Sequence, residues 1–492
     1  MWIIAILLIY FAVLLGISRL TQRRATNETF FRADRRSPWY MVAFGMVGAS
    51  ISGVTFVSVP GMILSSQMTY LQVCLGFVLG YLAIAFVLLP IYYKLNLTSI
   101  YTYLGQRLGR WSYKTGAWFF LLSKIVGSAV KFYVVCLILQ QFVFDAMGVP
   151  FAVNVVAMVL LIWLYSHRGG VRTLVYTDTF QTLCLFSALL LIIYTVMRQM
   201  DFSVMEAVSA VASDERSRMF VFDDWTSPHY FWKQLLSGAF IVVVMTGLDQ
   251  DMMQKNLTCR TLREAQKDMC SYGVAFVPAN LLFMALGVLI AQLFESQGIA
   301  IPAKADELLP HYVALDNLQS SIFNLQFSIF NLQSSIFNLQ SLFVLGIVAA
   351  SFSSADSALA SMTTSFCVDI CHRPDDERLR KRSHIAICAL FVVFILLFDA
   401  VNSKSLIDAI YTIVSYTYGP LLGLFAFGLF TKRQVRDKLV PAVCIASPFI
   451  CYGIDRLSAS LWDYHFGYEL LMLNGLLTFA GLWFTSLRES VR

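Results

Sequence analysis

The sequence predicts an all-α integral membrane protein with about 13 transmembrane helices, and three observations carry that reading. Of its 492 residues 58% are hydrophobic and only 13% charged, where a soluble domain has roughly half and roughly a quarter. A spanning helix needs about 20 apolar residues, and the apolar positions fall in runs of that length. Lys and Arg alternate between successive loops, as topology requires. These features exclude a soluble enzyme, a nucleic-acid binder and a secreted disulfide scaffold.

In order, the predicted spans are 2–18, 38–60, 69–93, 115–145, 150–165, 174–197, 231–252, 271–295, 342–371, 384–401, 405–431, 439–454 and 467–487. The first run follows Met1 with no basic segment before it, and it ends in Arg19, Arg23 and Arg24 rather than a small-residue cleavage site. It therefore reads as a retained span, not a signal peptide. Alternate loops and the tail hold 27 Lys and Arg, the other loops five. Basic loops stay cytoplasmic, so the N-terminus is expected outside and the C-terminus inside.

None of the ten cysteines falls in a predicted outer loop, so no disulfide is expected. Cys367 and Cys371 share a helical face without further ligands nearby, and His372 and His384 read as solvated in a basic loop. Residues 317–343 form a tandem repeat (NLQSSIF, NLQFSIF, NLQSSIF, NLQSLF) in an outer loop. As a helix it aligns Leu and Ile at coiled-coil spacing, but duplication of coding DNA also produces such copies, and a tolerated insertion is the plainer reading.

Ionisable and strongly polar groups inside spans are costly and are by default functional candidates. Span 2 carries Gly45, Gly48, Ser50, Ser52, Gly53 and Thr55, which either pack against a neighbour or unwind to present carbonyls. Span 9 carries Ser351, Ser353, Ser354, Asp356 and Ser357, and span 6 carries Asp178. Lys124 and Lys131 share one face of span 4. The lysines and aspartates are either structural pairs, Lys124 or Lys131 with Asp178 or Asp356, or parts of an ion and solute pathway. No nucleotide-binding, kinase or hydrolase motif is present, so no enzyme activity and no cofactor are expected. Neutral carbonyls and hydroxyls suit a hard monovalent cation, which points to Na+ and to no transition metal.

In these residues the chain resembles the sodium:solute symporter family, through GASISGVTF (48–56), GGVRTLVYTDTFQT (169–182) and AASFSSADSALASM (349–362), with GLDQDMMQKNLTCR (247–260) and SYTYGPLLGLFAFGLFTKR (415–433) in support. The resemblance implies the leucine-transporter fold with 5+5 inverted repeats. The first repeat would cover 38–197 and the second 231–431, with an extra span at 2–18 before them and two spans at 439–487 after. Spans 2 and 7 would be broken helices, the second with a weak point at Ser237 and Gly238.

It further implies a sodium site built from carbonyls of Gly48, Ile51 and Ala350 and hydroxyls of Ser353 and Ser354. Asp178, with Ser353 and Ser357, matches either a second sodium site or the sodium exit, and Asp356 stands where some members have a neutral residue. Substrate positions would be Ser50, Ser52, Thr55, Gln72 and Lys131, the last near the place where a sialic-acid-transporting branch carries a basic carboxylate anchor. Arg172, Asp249, Asp251 and Lys255 at cytoplasmic span ends read either as inner-gate ion pairs or as solvated helix ends. The function implied is a sodium-coupled secondary symporter of a bacterial-type inner membrane, importing a small organic solute such as a sialic or other sugar acid. Proton coupling through Asp178 and Asp356, or a solute sensor working through a separate partner, are the alternatives. One or two sodium ions, the oligomeric state and the effect of the repeat stay open.

Overall fold

A computed structural model describes residues 2–22, 26–167, 169–319, 339–401, 406–462, 464 and 466–487. The spans are α1 (Trp2–Thr21), the pair α2 (Trp39–Ser50) and α3 (Gly53–Ser66), α4 (Tyr70–Lys94), α5 (Arg110–Leu139), α6 (Phe151–Ser166), α7 (Gly170–Gln199), the pair α8 (Phe231–Gly247) and α9 (Gln250–Asn256), α10 (Leu262–Gln297), α11 (Leu339–Ser365), α12 (Glu377–Val401), α13 (Leu406–Phe430), α14 (Val440–Trp462) and α15 (Leu470–Thr485). Among the described residues eight helices are long and apolar enough to cross a membrane, ten when each bent pair counts as one span. Phe151–Ser166, Val414–Phe430 and Leu470–Thr485 are apolar but shorter. The chain is a multi-pass membrane protein.

The small-residue stretch of span 2 does unwind. Ile51 (ψ 91°) and Ser52 (ψ 171°) leave the helical region, and α3 leaves α2 at 63°. Glycine also lets α2 approach α7, since a Cβ at Gly48 would stand 1.9 Å from the Thr182 hydroxyl oxygen.

Span 7 breaks too, at 71°, but after Gly247 rather than at Ser237 and Gly238. Those two lie inside an unbroken helix, where their small size serves packing instead. A Cβ on Gly238 would meet the Val73 carbonyl oxygen at 2.3 Å, and α4 answers with Gly76 against the Leu235 carbonyl oxygen at 2.1 Å and Gly80 against that of Ala239 at 2.5 Å. The break itself is fixed by Asp249, an extended residue whose carboxylate caps α9 by accepting from the Asp251 amide at 2.8 Å. Both helices of the α4–α8 pair contain a π-helical turn, at Ile84–Leu88 and Val243–Gly247.

α11 is buried along almost its whole length, against α7, α5, α2 and α12, which explains how it carries so many polar residues. His384 is also buried, because α12 starts at Glu377, ahead of the predicted boundary; its ring bonds the hydroxyls of Thr363 at 2.9 Å and Ser166 at 3.3 Å. Most of the heptapeptide repeat, 320–338, lies outside the described residues.

Candidate functional site

A helix end leaves its last carbonyls without internal partners, so a break inside a span exposes polar backbone where lipid cannot satisfy it. Both breaks face one central cavity of about 1130 Å3, counting the part open to solvent. Ser50, Ser52 and Thr55 reach it from the first break, Lys124 and Lys131 from α5, and Asp249 and Asp251 from the second. Tyr272 of α10 shares hydroxyl hydrogen bonds with Ser50 and with Tyr81, the latter at 2.6 Å, and so ties the first break to α10.

The charges in this cavity are unequally engaged. Lys124 bridges Asp249 at 3.1 Å and Asp251 at 2.7 Å, and Tyr418 donates to Asp249 at 2.7 Å. Both aspartates are buried, so these are internal ion pairs and not solvated helix ends. Lys131, seven residues further along α5, lines the cavity with no ion-pair partner among the described residues. Neither lysine pairs with Asp178 or Asp356, which corrects that sequence expectation. Asp178 is taken by Lys255 and Asp356 by Tyr165 instead.

Arg172 does not join the predicted gate. Its guanidinium stands 3.4 Å from Asp34, half exposed, apart from Asp249 and Asp251. Gln72 is also corrected: its amide donates to the carbonyl of His229 at 2.9 Å and to Gln234 at 3.2 Å and accepts from the Val221 amide at 3.1 Å. It is fully buried and fastens the outer loop before α8, away from the cavity lining.

Behind the cavity α2 and α11 meet through neutral groups. The Ser354 hydroxyl donates to the Ala49 carbonyl at 2.7 Å and lies 3.3 Å from the Ala350 carbonyl. Of the expected sodium ligands, Ser354 and Ala350 meet α2 here, at the carbonyl of Ala49. Ser353 donates to Asp178 Oδ1 at 2.7 Å, leaving its lone pairs unused.

Asp178 Oδ2 lies 2.8 Å from Lys255 Nζ, with side-chain exposures of 1% and 2%. Neither atom has an aligned hydrogen bond, so the contact is held by charge. Lys255 was grouped with the gate, but the short helix α9 carries it inward to Asp178 instead. Asp356 accepts from Tyr165 at 2.7 Å and from Ser357 at 3.2 Å, so Ser357 engages Asp356 rather than Asp178. The pairing of Lys255 with Asp178 had no signal in the sequence, since 77 positions separate them.

Residues 30–437 match the model of the sodium:solute symporter family. The chain is 24% identical over 472 residues to the sodium/sialic acid symporter SiaT of Proteus mirabilis, covering 90% of this chain and 87% of that protein. It is 24% identical to the sodium/sialic acid symporter NanT of Aliivibrio fischeri, over 84% of this chain and 79% of the relative. Among solved structures it superposes on a sodium-coupled sialic acid symporter in a substrate-bound outward-open state, with a TM-score of 0.79 at 20% identity, covering 99% and 97% of the two chains. That likeness shows the fold, which is of the leucine-transporter kind.

Proposed function

The chain belongs to the sodium:solute symporter family, and from that premise we propose that it imports a small carboxylate-bearing solute, such as a sialic or other sugar acid, held by Lys131. The observation that carries this reading is the inequality of the cavity charges: Lys124, Asp249 and Asp251 are mutually paired, and Lys131 alone has no fixed counter-ion among the described residues. A cation kept in a low-dielectric cavity is costly without one, and an acidic solute supplies it. Ser50, Ser52 and Thr55 would bond the solute's hydroxyls.

The coupling sodium ion is assigned to the junction of α2 and α11. Its ligands would be the carbonyls of Gly48, Ile51 and Ala350 and the hydroxyls of Ser353 and Ser354. Neutral ligands suit an ion that must leave again. The full arrangement proposed is thirteen spans in two inverted repeats, 38–197 and 231–431, in a bacterial-type inner membrane with the N-terminus outside. Sodium at this junction would favour the outward-open state, which solute binding would then close, so that each ligand shifts the same equilibrium.

The test is thermal stability of the purified protein in sodium against potassium, across sugar acids, neutral sugars, amino acids and monocarboxylates. Sodium-specific stabilisation that an acidic solute increases is expected. Lys131→Gln should then remove the increment from the acid and spare the effect of sodium alone. An equal loss with neutral solutes would make Lys131 structural and sink the anchor.

A further inference from the structure

Asp178, Asp356 and Lys255 form a buried cluster of charge, beside an Asp251 that is itself paired with Lys124. The carboxylates come from neighbouring helices, α7 and α11, and the ammonium from α9. They are 1%, 0% and 2% exposed. Water therefore screens them little, and a net charge among them is costly unless a cation or a proton balances it. Two carboxylates against one ammonium leave one negative charge over. A single monovalent cation at the adjoining α2–α11 junction closes the balance, whereas two would overshoot it.

The geometry agrees with the count. Both oxygens of Asp178 already have a close neighbour, and the neighbour of Oδ2 carries a positive charge. Oδ1 takes the Ser353 hydroxyl at 2.7 Å, and Oδ2 faces Lys255 Nζ at 2.8 Å. At 2.8 Å the ammonium sits directly against Oδ2. It stands where a free cation would stand. Lys255 also cannot turn to solvent without moving α9, whose residues are buried throughout.

We propose that Lys255 sets the ion stoichiometry: its ammonium fills the cation position beside Asp178, so that one sodium ion and not two accompanies each solute. This rests on the sodium reading above and sharpens it. Removing the ammonium should open the position. With Lys255 neutral, Asp178 is left buried and unpaired, and a second sodium ion is the available counter-ion.

Binding of radioactive sodium to the purified full chain, with no solute present, reads this directly. The expected count is about one ion per wild-type chain, about one for Lys255→Arg and about two for Lys255→Met, returning to about one in Lys255→Met/Asp178→Asn. Two ions per wild-type chain would overturn the proposal. So would a single ion in a Lys255→Met chain that still melts cooperatively. If that variant fails to fold, the same count on Lys255→Gln decides the matter: about two ions are expected, and one would overturn the proposal. A wild-type chain that binds no sodium would instead remove the sodium reading itself, and this proposal with it.

Discussion

The two helix breaks solve one problem in opposite ways. At the first, between α2 and α3, the contacts are with neutral groups: Ser354 donates to the freed Ala49 carbonyl, and Tyr272 bonds the Ser50 side chain. At the second, between α8 and α9, the freed carbonyls are sealed by side chains of the other half, with Tyr92 donating to Gly247 at 2.9 Å and Tyr101 to Leu248 at 2.9 Å. Fixed charge then surrounds it through Asp249, Asp251, Lys124 and Lys255. A break whose carbonyls are bound by the protein itself is a structural joint. One whose carbonyls meet a lone hydroxyl can exchange that contact for an ion.

Variants at the first break should damage ion binding, whereas removing Lys124 from the second should damage folding. The largest effect is expected from Lys124→Ala, which strands Asp249 and Asp251 together at 2% and 5% side-chain exposure. Breaking a buried pair costs about 3–5 kcal/mol, read as a lower midpoint of thermal unfolding, and an unchanged midpoint would refute the internal pairing. Ser354→Ala should leave that midpoint nearly unchanged in potassium. It should weaken sodium binding by about 1.5–3 kcal/mol, the scale of a hydrogen-bonding group facing a charge, which a sodium titration measures. Unaltered sodium affinity would remove Ser354 from the ligand set. The smallest change is expected from Tyr92→Phe, which loses one hydrogen bond to the second break, about 1 kcal/mol of stability. A sodium affinity altered by Tyr92→Phe with no change in melting would blur the distinction between the two joints.

Much of this contrast was legible in the sequence, and the parts that were not have a common cause. Glycine and hydroxyl clustering over 45–55 marked the stretch that holds the first break, because small residues suit both close packing and an unwound backbone, and the family resemblance chose between the two. The same signal misplaced the second break at Ser237 and Gly238, where small size serves contact between α4 and α8. There the break depends on Asp249, a capping role that an intramembrane aspartate does not announce. Intramembrane charges were correctly singled out, but their partners were not. Helical spacing fixes which face a residue occupies, while the pairing of Lys255 with Asp178 and of Lys124 with Asp249 depends on how distant spans cross. Gln72 erred likewise, since a polar residue at the head of α4 serves an outer loop as readily as a cavity.

The glycine contacts between α4 and α8 carry one more consequence, and it is mechanical. With backbone pressed on backbone at Gly76, Gly80 and Gly238, these two helices have no side-chain layer through which to slide, so they must travel as one rod. Each of the two helices also carries a π-helical turn, at Ile84–Leu88 and Val243–Gly247, at the end of this glycine-packed stretch. Spin labels on the lipid-facing Leu79 and Leu236 should hold one separation in sodium and in potassium; a separation that shifts with the cation would uncouple the rod.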